Sequence, residues 1–585
     1  MYQNYITGQT SFSLNLDFSI PNNHLAHVIS DFVDSIPADV LLEKKSDTGR
    51  PAYHPAIMLK ILLFAYSRRV FSGRKIERML EENLPMMILA EGRKISYHTI
   101  NNFRSSDYTN RLIKQSFVYF TNLLQSEKLI REDAIFIDGT KIEADANKYT
   151  FVWRKAVEKF HSKLKQDISK LYDELIQKEV IKAISEESIE TSQGMELVAD
   201  QLEEEVSILN KEIEIEPKVI PGGSKNKVKR RALKKILHKI RKDYLPRAKK
   251  YEQAQTIFQG RNSYSKTDQD ATFMHMKEDH MKNGQLKPGY NVQAATTNQY
   301  VVDYALYPNP TDFRTLEPFL DQMSILDKFT NIIADAGYGS ESNYEMLENK
   351  FDKHEYYIPY SLYEKEQTRK YKNDKTKLVN WYYNEEEDYY IDWQGVRFNF
   401  KKYKKQRNRN TGFISNLKIY EADEFQLTEE LTKLAKTKSG RQRQVQYNPN
   451  WQYLKEKAKE TLQSEKGKRI YGCRKSDVEP IFGHMKSVFG MRRAHLRGKK
   501  KVETDIGLMF MMMNLSKYWA RRVQKDVFSN KKDKIKDQVF SKKENLVLFI
   551  CLKSYFFPRL YLCLLVFFIF LIIASKQLLI YFDQL

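Results

Sequence analysis

The sequence predicts a mixed α/β region behind a helical domain, on three observations. First, two short β-branched runs end in acids: AIFID closes on Asp138 and NIIAD on Asp335, so both read as buried strands. Second, GYNVQAATT and YVVDYALYP, joined by TNQ, read as two strands, followed by helix (TLEPFLDQMSIL), strand, helix (ESNYEMLENK) and strand (KHEYYIPY). Two antiparallel strands, then helices alternating with strands, is the pattern of a mixed sheet. Third, apolar residues recur at three and four positions through residues 1–125, the period of helices.

The elements follow in chain order. His54-Pro55 leads into AIMLKILLFAYSRRVF, with Ile57, Ile61, Phe64 and Ala65 on one face and Pro55 suited to a helix start. RKIERMLEENL is a second helix. ISYHTINNFRSSD is a third, capped by Ser96 and carrying His98, Asn101, Asn102 and Arg104 on polar faces. Helix-turn-helix modules present Asn and Arg to base edges in this way; an ordinary solvated helix would carry the same residues. Residues 134–144 read as a strand pair bending at Gly139.

A helical insertion is predicted over about 150–260. Val157, Phe160, Leu164, Ile168, Leu171 and Leu175 space a coiled-coil seam, and Leu202, Val206, Leu209 and Ile213 repeat it. The basic helix KNKVKRRALKKILHKIRKDYLPRAKK either salt-bridges the acidic arms or faces DNA. A second insertion, 362–470, is β-rich and Tyr/Lys-rich. Such a surface can stack bases and track phosphates, or be the wet face of a plain antiparallel sheet. Domain bounds are 1–125, 126–520 and 521–585.

At 585 residues the chain holds several domains or large insertions, and its net charge of +22 suits a polyanionic partner. The three cysteines form no CxxC pair, and MYQNYITGQTSFSLNLDF lacks a signal core, so a cytoplasmic, nucleoid-associated protein is expected. After a charged linker the tail is apolar, but the run Leu560–Ala574 is 15 residues, short of the roughly 20 that span a bilayer. It reads as a readthrough or frameshifted extension, with a membrane anchor as the alternative.

The chemistry rests on Asp138, Asp335 and Glu479. Carboxylates converging from separate elements can hold two Mg²⁺ ions roughly 3.5–4 Å apart for in-line attack on a phosphodiester. Each has a plainer reading. Asp138 could form a turn with Gly139, Asp335 could be a turn residue, and Ser476 with Glu479 matches a capping box. Glu143 and Asp145 are rival ligands near Asp138. Glu479 stands seven positions before Lys486, so the two share a face of a helix whose buried stripe is Val478, Phe482, Met485 and Phe489. Arg492, Arg493, Arg497 and Lys499–Lys501 extend the positive charge, and His484 reads as a surface histidine.

FIDGTKIEADANKYTFVW, ADAGYGSESNY and DVEPIFGHMKSVFGMRRAHLRGKKKVE together resemble DDE transposases of bacterial insertion sequences, most closely the family numbered eleven-eighty-two. GRPAYHPAIMLKILLFAY and SYHTINNFR resemble that family's amino-terminal domain, so the resemblance spans roughly residues 15–520. It implies an RNase H-like core interrupted by insertions, with Asp138, Asp335 and Glu479 as the catalytic and metal-binding triad. It also implies two Mg²⁺ ions (Mn²⁺ as possible substitute), terminal inverted repeats and target DNA as partners, and at least a dimer in the active complex. Related transposases carry Tyr, two residues, Arg, three residues, Glu, six residues, Lys. Glu479 and Lys486 match its second half. Tyr471 and Arg474 keep their mutual spacing, but Lys475 occupies the place expected for Arg, so either Arg474 or Lys475 serves the phosphate. Asp145 and Asn147 match the first motif without an assigned role. Other classes remain: a DNA-binding relic without activity, a stand-alone RNase H-like nuclease, and a coiled-coil interaction protein.

Overall fold

The computed structural model describes residues 19–42, 52–178, 180–181, 189–217, 223–276, 284–408 and 411–523. The chain divides into two units, Met1–Val28 with Leu515–Leu585, and Ile29–Asn514. In the first, the Trp519 indole N–H donates to the Asn23 carbonyl at 2.6 Å. The apolar tail lies outside the described residues, among which no helix is long and apolar enough to cross a membrane. All that follows concerns the second unit.

Its helical front comprises α1 (Pro55–Ser67), α2 (Gly73–Glu82), α3 (Tyr97–Arg104) and α4 (Asp107–Ser126). The predicted starts at Pro55 and Ser96 hold. Pro55 sits in the first turn of α1 and Ser96 accepts from Thr99 to cap α3, and the structure adds a cap at His54, which accepts from the Ala56 amide.

The central sheet holds β1 (Ala134–Glu143), β4 (Thr272–His275), β5 (Leu286–Thr297), β6 (Tyr300–Tyr307), β7 (Asn331–Ala334) and β8 (Glu355–Tyr357). β5 lies antiparallel to β1 and carries β4 and β6 as further antiparallel neighbours, while β7 and then β8 run parallel to β1. β1 is central and buried on both faces, which is why its sequence reads as a continuous apolar run. Asn298 and Gln299 both take positive φ (50° and 60°), the two-residue turn that matches strand twist and closes the β5–β6 hairpin. The helices α9 (Leu316–Gln322) and α10 (Glu341–Lys350) cover one face, over a core of Ile135, Ile137, Phe319, Ile332, Tyr344 and Leu347.

The expected bend at Gly139 is corrected. β1 runs unbroken, with Gly139 opposite Gln293. Glycine is needed there because a Cβ would meet Gln293 Nε2 at 2.3 Å and Asp312 Oδ1 at 2.7 Å. Asn291 and Gln293 both donate to that Asp312 oxygen, at 2.7 and 3.1 Å. A buried polar network fills the space a side chain would take.

Two insertions leave the core. From the short ladder β2 (Phe151–Trp153) and β3 (Ser263–Ser265) rise α5 (Arg154–Gln177), α6 (Ser192–Ile215), α7 (Lys225–Lys239) and α8 (Leu245–Phe258). They share a core of Leu164, Ile168, Leu202, Val206, Leu233 and Ala248. Phe160, expected in the seam, is 50% exposed, and His161 and Tyr172 turn inward instead. Lys229–Glu205, Arg241–Asp200 and Arg241–Glu203 pair at 2.6–2.8 Å, so part of the basic helix does bridge the acidic arm. The second insertion is an antiparallel sheet of β9 (Tyr382–Asn384), β10 (Tyr389–Ile391), β11 (Arg397–Arg407), β12 (Ile414–Ala422) and β13 (Gln444–Tyr447). The chain then returns to the core in α11 (Pro449–Gln463), whose Leu454 and Ala458 join the core beside α10.

Candidate active site

β1 and β7 are in parallel register, Ile137 opposite Ala334, so the next residues, Asp138 and Asp335, come side by side. Asp138 is not at a strand end, as expected from the sequence, but inside β1, opposite Ala294. Asp335 does close its strand, and its carboxylate accepts from the Gly337 amide at 2.8 Å. Asp138 is 7% exposed, and its carboxylate accepts from the Gly139 amide at 2.7 Å.

Glu479 arrives on a broken helical run: α12 (Glu465–Gly472), α13 (Arg474–Asp477), α14 (Glu479–Gly483) and a π turn at His484–Val488. The capping box does not form, because Ser476 is already helical and its hydroxyl donates to the Cys473 carbonyl. The expected stripe forms in part: Val478, Phe482 and Met485 are buried, while Phe489 is half-buried. The β5–β6 turn grips this run. Thr296 Oγ1 and the Gln299 amide donate to buried Asp477, at 2.8 and 3.0 Å. Pro480 has no N–H for the Ser476 carbonyl, which accepts from the Gln299 amide side chain at 2.8 Å instead. Asp477→Ala is expected to cost about 1–3 kcal/mol by orphaning buried donors, and to lower strand cleavage more than DNA binding. Denaturant melts beside cleavage and gel-shift assays would measure this.

Arg474 ties the parts together. Its guanidinium lies 3.6 Å from Asp138 Oδ2 and 3.7 Å from Glu479 Oε1. Burial raises the phenol of Tyr471, one turn earlier, while the neighbouring Arg474 charge lowers it and that of Asp335 raises it. Burial holds the Tyr338 phenol well above its usual range, and the carboxylates of Asp312, Asp138 and Asp335 raise it further. One buried phenol thus senses both strand acids, and one guanidinium joins Asp138 to Glu479. Of the two basic candidates, Arg474 faces the acids, whereas Lys475 is exposed to solvent.

Among the described residues no three acidic, His or Cys side chains are drawn close enough to chelate an ion. Arg474 occupies the gap between two of the carboxylates, and its buried Nη1 has no hydrogen-bond partner among the described residues. An all-carboxylate donor set of this kind suits Mg²⁺ or Mn²⁺ rather than zinc.

The basic segment after the helix is anchored by acids. Asp145 accepts from Arg493 and Arg497, each at 2.9 Å, which gives this residue the role its motif left open. Glu143, the other rival of Asp138 as a ligand, pairs with Lys287. Arg492 Nε donates to the Lys486 carbonyl at 3.3 Å. Arg492, Arg493 and Arg497 remain exposed, Lys486 is half-buried, and His484 is exposed as expected.

The N-terminal candidates separate. His98 is exposed, while Asn101 is half-buried, with its Oδ1 accepting from Arg104 Nη2 at 3.3 Å. Arg104 is corrected: it is 4% exposed and does not face solvent. Its Nη1 donates to the Phe71 carbonyl at 2.5 Å and to the Tyr66 hydroxyl at 3.4 Å. Tyr66 donates to Asp505, which also meets His495 at 3.2 Å. Sequence reasoning missed this network, although Arg104 stands four residues after buried Ile100 and so on its inward face. The Asp312–Asn291–Gln293–Tyr338 group was also missed, and no local signal marks it.

Comparison with known families follows the same division. A family described as "Transposase DDE domain" matches residues 261–515, which include Asp335 and Glu479 but begin after Asp138. One described as "Transposase domain (DUF772)" matches residues 14–106, most of the helical front. No curated protein matches the chain. The DDE domain implies an RNase H-like α/β fold, with which the mixed sheet around β1 agrees, and its family generally uses divalent metals. With both transposase domains in one chain, the protein belongs to the DDE transposases of insertion sequences.

Proposed function

We propose that the protein binds the terminal inverted repeats of its insertion sequence and catalyses DNA strand cleavage and strand transfer, as a member of the family numbered eleven-eighty-two. The observation that carries this is the guanidinium of Arg474 joining a strand acid, Asp138, to a helix acid, Glu479, beside Asp335. Asp138, Asp335 and Glu479 would hold two Mg²⁺ ions, or Mn²⁺ in their place. Bound there, the metals would supply Lewis acidity to the attacking oxygen and to the leaving 3′ oxygen. The released 3′-OH then attacks target DNA in the same site. Arg474 counters the carboxylates' charge, and Tyr471 orients it. Lys486, Arg492, Arg493 and Arg497 hold backbone phosphates, which position DNA without reading it. His98, with Asn101 beside it, belongs to the helical front that recognises the ends. Pairing two ends calls for at least a dimer.

The test is Asp335→Asn. Terminal-repeat binding should persist while Mg²⁺-dependent cleavage is lost. Retained cutting would remove Asp335 from the site, and loss of binding as well would point to a structural role.

A further inference from the structure

We propose that the β11–β12 hairpin is a DNA-gripping arm: a two-stranded basic ribbon that lies along duplex DNA on the approach to the acids. This rests on the transposase reading and names a surface which that reading does not use. β11 and β12 pair without interruption from Lys402–Ile419 to Arg407–Ile414, after an irregularity between Phe400 and Lys402. Beyond it, Lys402, Tyr403, Lys404, Lys405, Gln406 and Arg407 are all exposed. A strand in a plain sheet buries alternate residues; this stretch of β11 buries none, although its partner β12 buries Leu417 and Ile419.

Alternation sorts the ribbon's sides. Lys402 and Lys404 pair with Ile419 and Leu417, which are buried. Tyr403, Lys405 and Arg407 pair with Lys418, Asn416 and Ile414, and this face is open, with Tyr403 70% exposed. Lys401 is spent on Glu421, and Lys418 on Asp388. Among the described residues, Lys402, Lys404, Lys405 and Arg407 make no ion pair, and the facing stretch 414–419 contains no acid. Cations that make no ion pair among the described residues, spread along an extended ribbon, match a line of phosphates. A two-stranded ribbon also has the width of the major groove.

The ribbon's placement ties it to the site. Glu341, which opens α10 shortly after Asp335, accepts from Ser415 of β12 at 2.7 Å and from Asn448 at 2.8 Å. Thr411, Gly412 and Phe413 at the ribbon's end line a cleft of about 910 Å³, which Asn309, Phe313 and Arg314 also line. The same loop carries Asp312, the acid packed against Gly139. Duplex held on the ribbon is thereby led toward β1.

The experiment measures binding of the full chain to a short linear duplex of mixed sequence across a salt series. The comparison is a variant carrying Lys402→Gln, Lys404→Gln, Lys405→Gln and Arg407→Gln. Each lost phosphate contact lowers the slope of log K against log salt by about 0.9, so a drop of about 3.6 is expected for four lost contacts, with at least a tenfold weaker affinity at moderate salt. An unchanged slope, with the parent chain binding normally, overturns the ribbon proposal and leaves the transposase reading intact. No binding by the parent chain overturns both. Lysine acetylation of the parent chain supplies a reading independent of the variant's folding. Lys402, Lys404 and Lys405 should be protected by duplex, and equal labelling with and without DNA would refute the arm.

Discussion

Asp138→Asn should abolish Mg²⁺-dependent cleavage, by about 10³-fold or more, while the chain stays folded and binds DNA. Loss of one preorganised electrostatic group in an active site commonly costs about 10²–10³ in rate, and a metal-holding carboxylate contributes at least as much. Asparagine keeps the shape of the side chain and can still accept from the Gly139 amide at Oδ1. What disappears is the negative charge facing Arg474. Arg474→Gln is the informative companion, since it breaks the same contact from the other side. If Asp138 served only to neutralise Arg474, both variants would fail in the same way. On the account here, Arg474→Gln weakens cleavage but still responds to added Mn²⁺, whereas Asp138→Asn does not. Single-turnover cleavage across a metal titration separates the two.

Arg104→Met should destabilise the protein by about 3–5 kcal/mol, the range for removing one partner of a buried charge network. Asp505 is fully buried, and the side chains around it are Tyr66 and His495, with Arg104 reached through the Tyr66 hydroxyl. The charge of Arg104 helps to hold the Asp505 carboxyl below its ordinary range against burial, after the hydrogen bond from His495. Methionine fills the space of the stem but leaves that carboxylate with less compensation. Urea unfolding measures the loss. A surface residue that only touched DNA would change stability by at most about 0.5 kcal/mol, so a stable variant with lost DNA binding would return Arg104 to the recognition surface.

Local pattern revealed much of this fold. The hairpin turn at Asn298-Gln299, the helix start at Pro55, the cap at Ser96, and the strand-helix alternation around Asp335 all act within a few residues, where propensity and spacing decide. The acids were visible too, because β-branched runs ending in Asp mark buried strands. What stayed hidden was set by partners distant in the chain. Gly139 reads as a turn residue until Gln293 and Asp312 are seen to fill the space beside it. Arg104 reads as an exposed cation until Asp505, four hundred residues on, supplies the buried charge near it. The signature around Tyr471 reads as shifted by one residue, yet Arg474 still reaches both acids. The helical run is broken between Arg474 and Glu479, and the β5–β6 turn holds it in place. In each case the sequence carried the residue and the fold carried its purpose.

The most direct measurement is end mapping: purified chain, a linear duplex spanning the DNA that flanks its reading frame, and divalent metal present or chelated. The account predicts breaks with free 3′-OH termini at the element's ends, formed with Mg²⁺ or Mn²⁺, absent with chelator, and absent in Asp335→Asn. Tight binding of the same duplex with no break under any divalent metal would contradict it, and would leave a DNA-binding protein whose three acids do no chemistry.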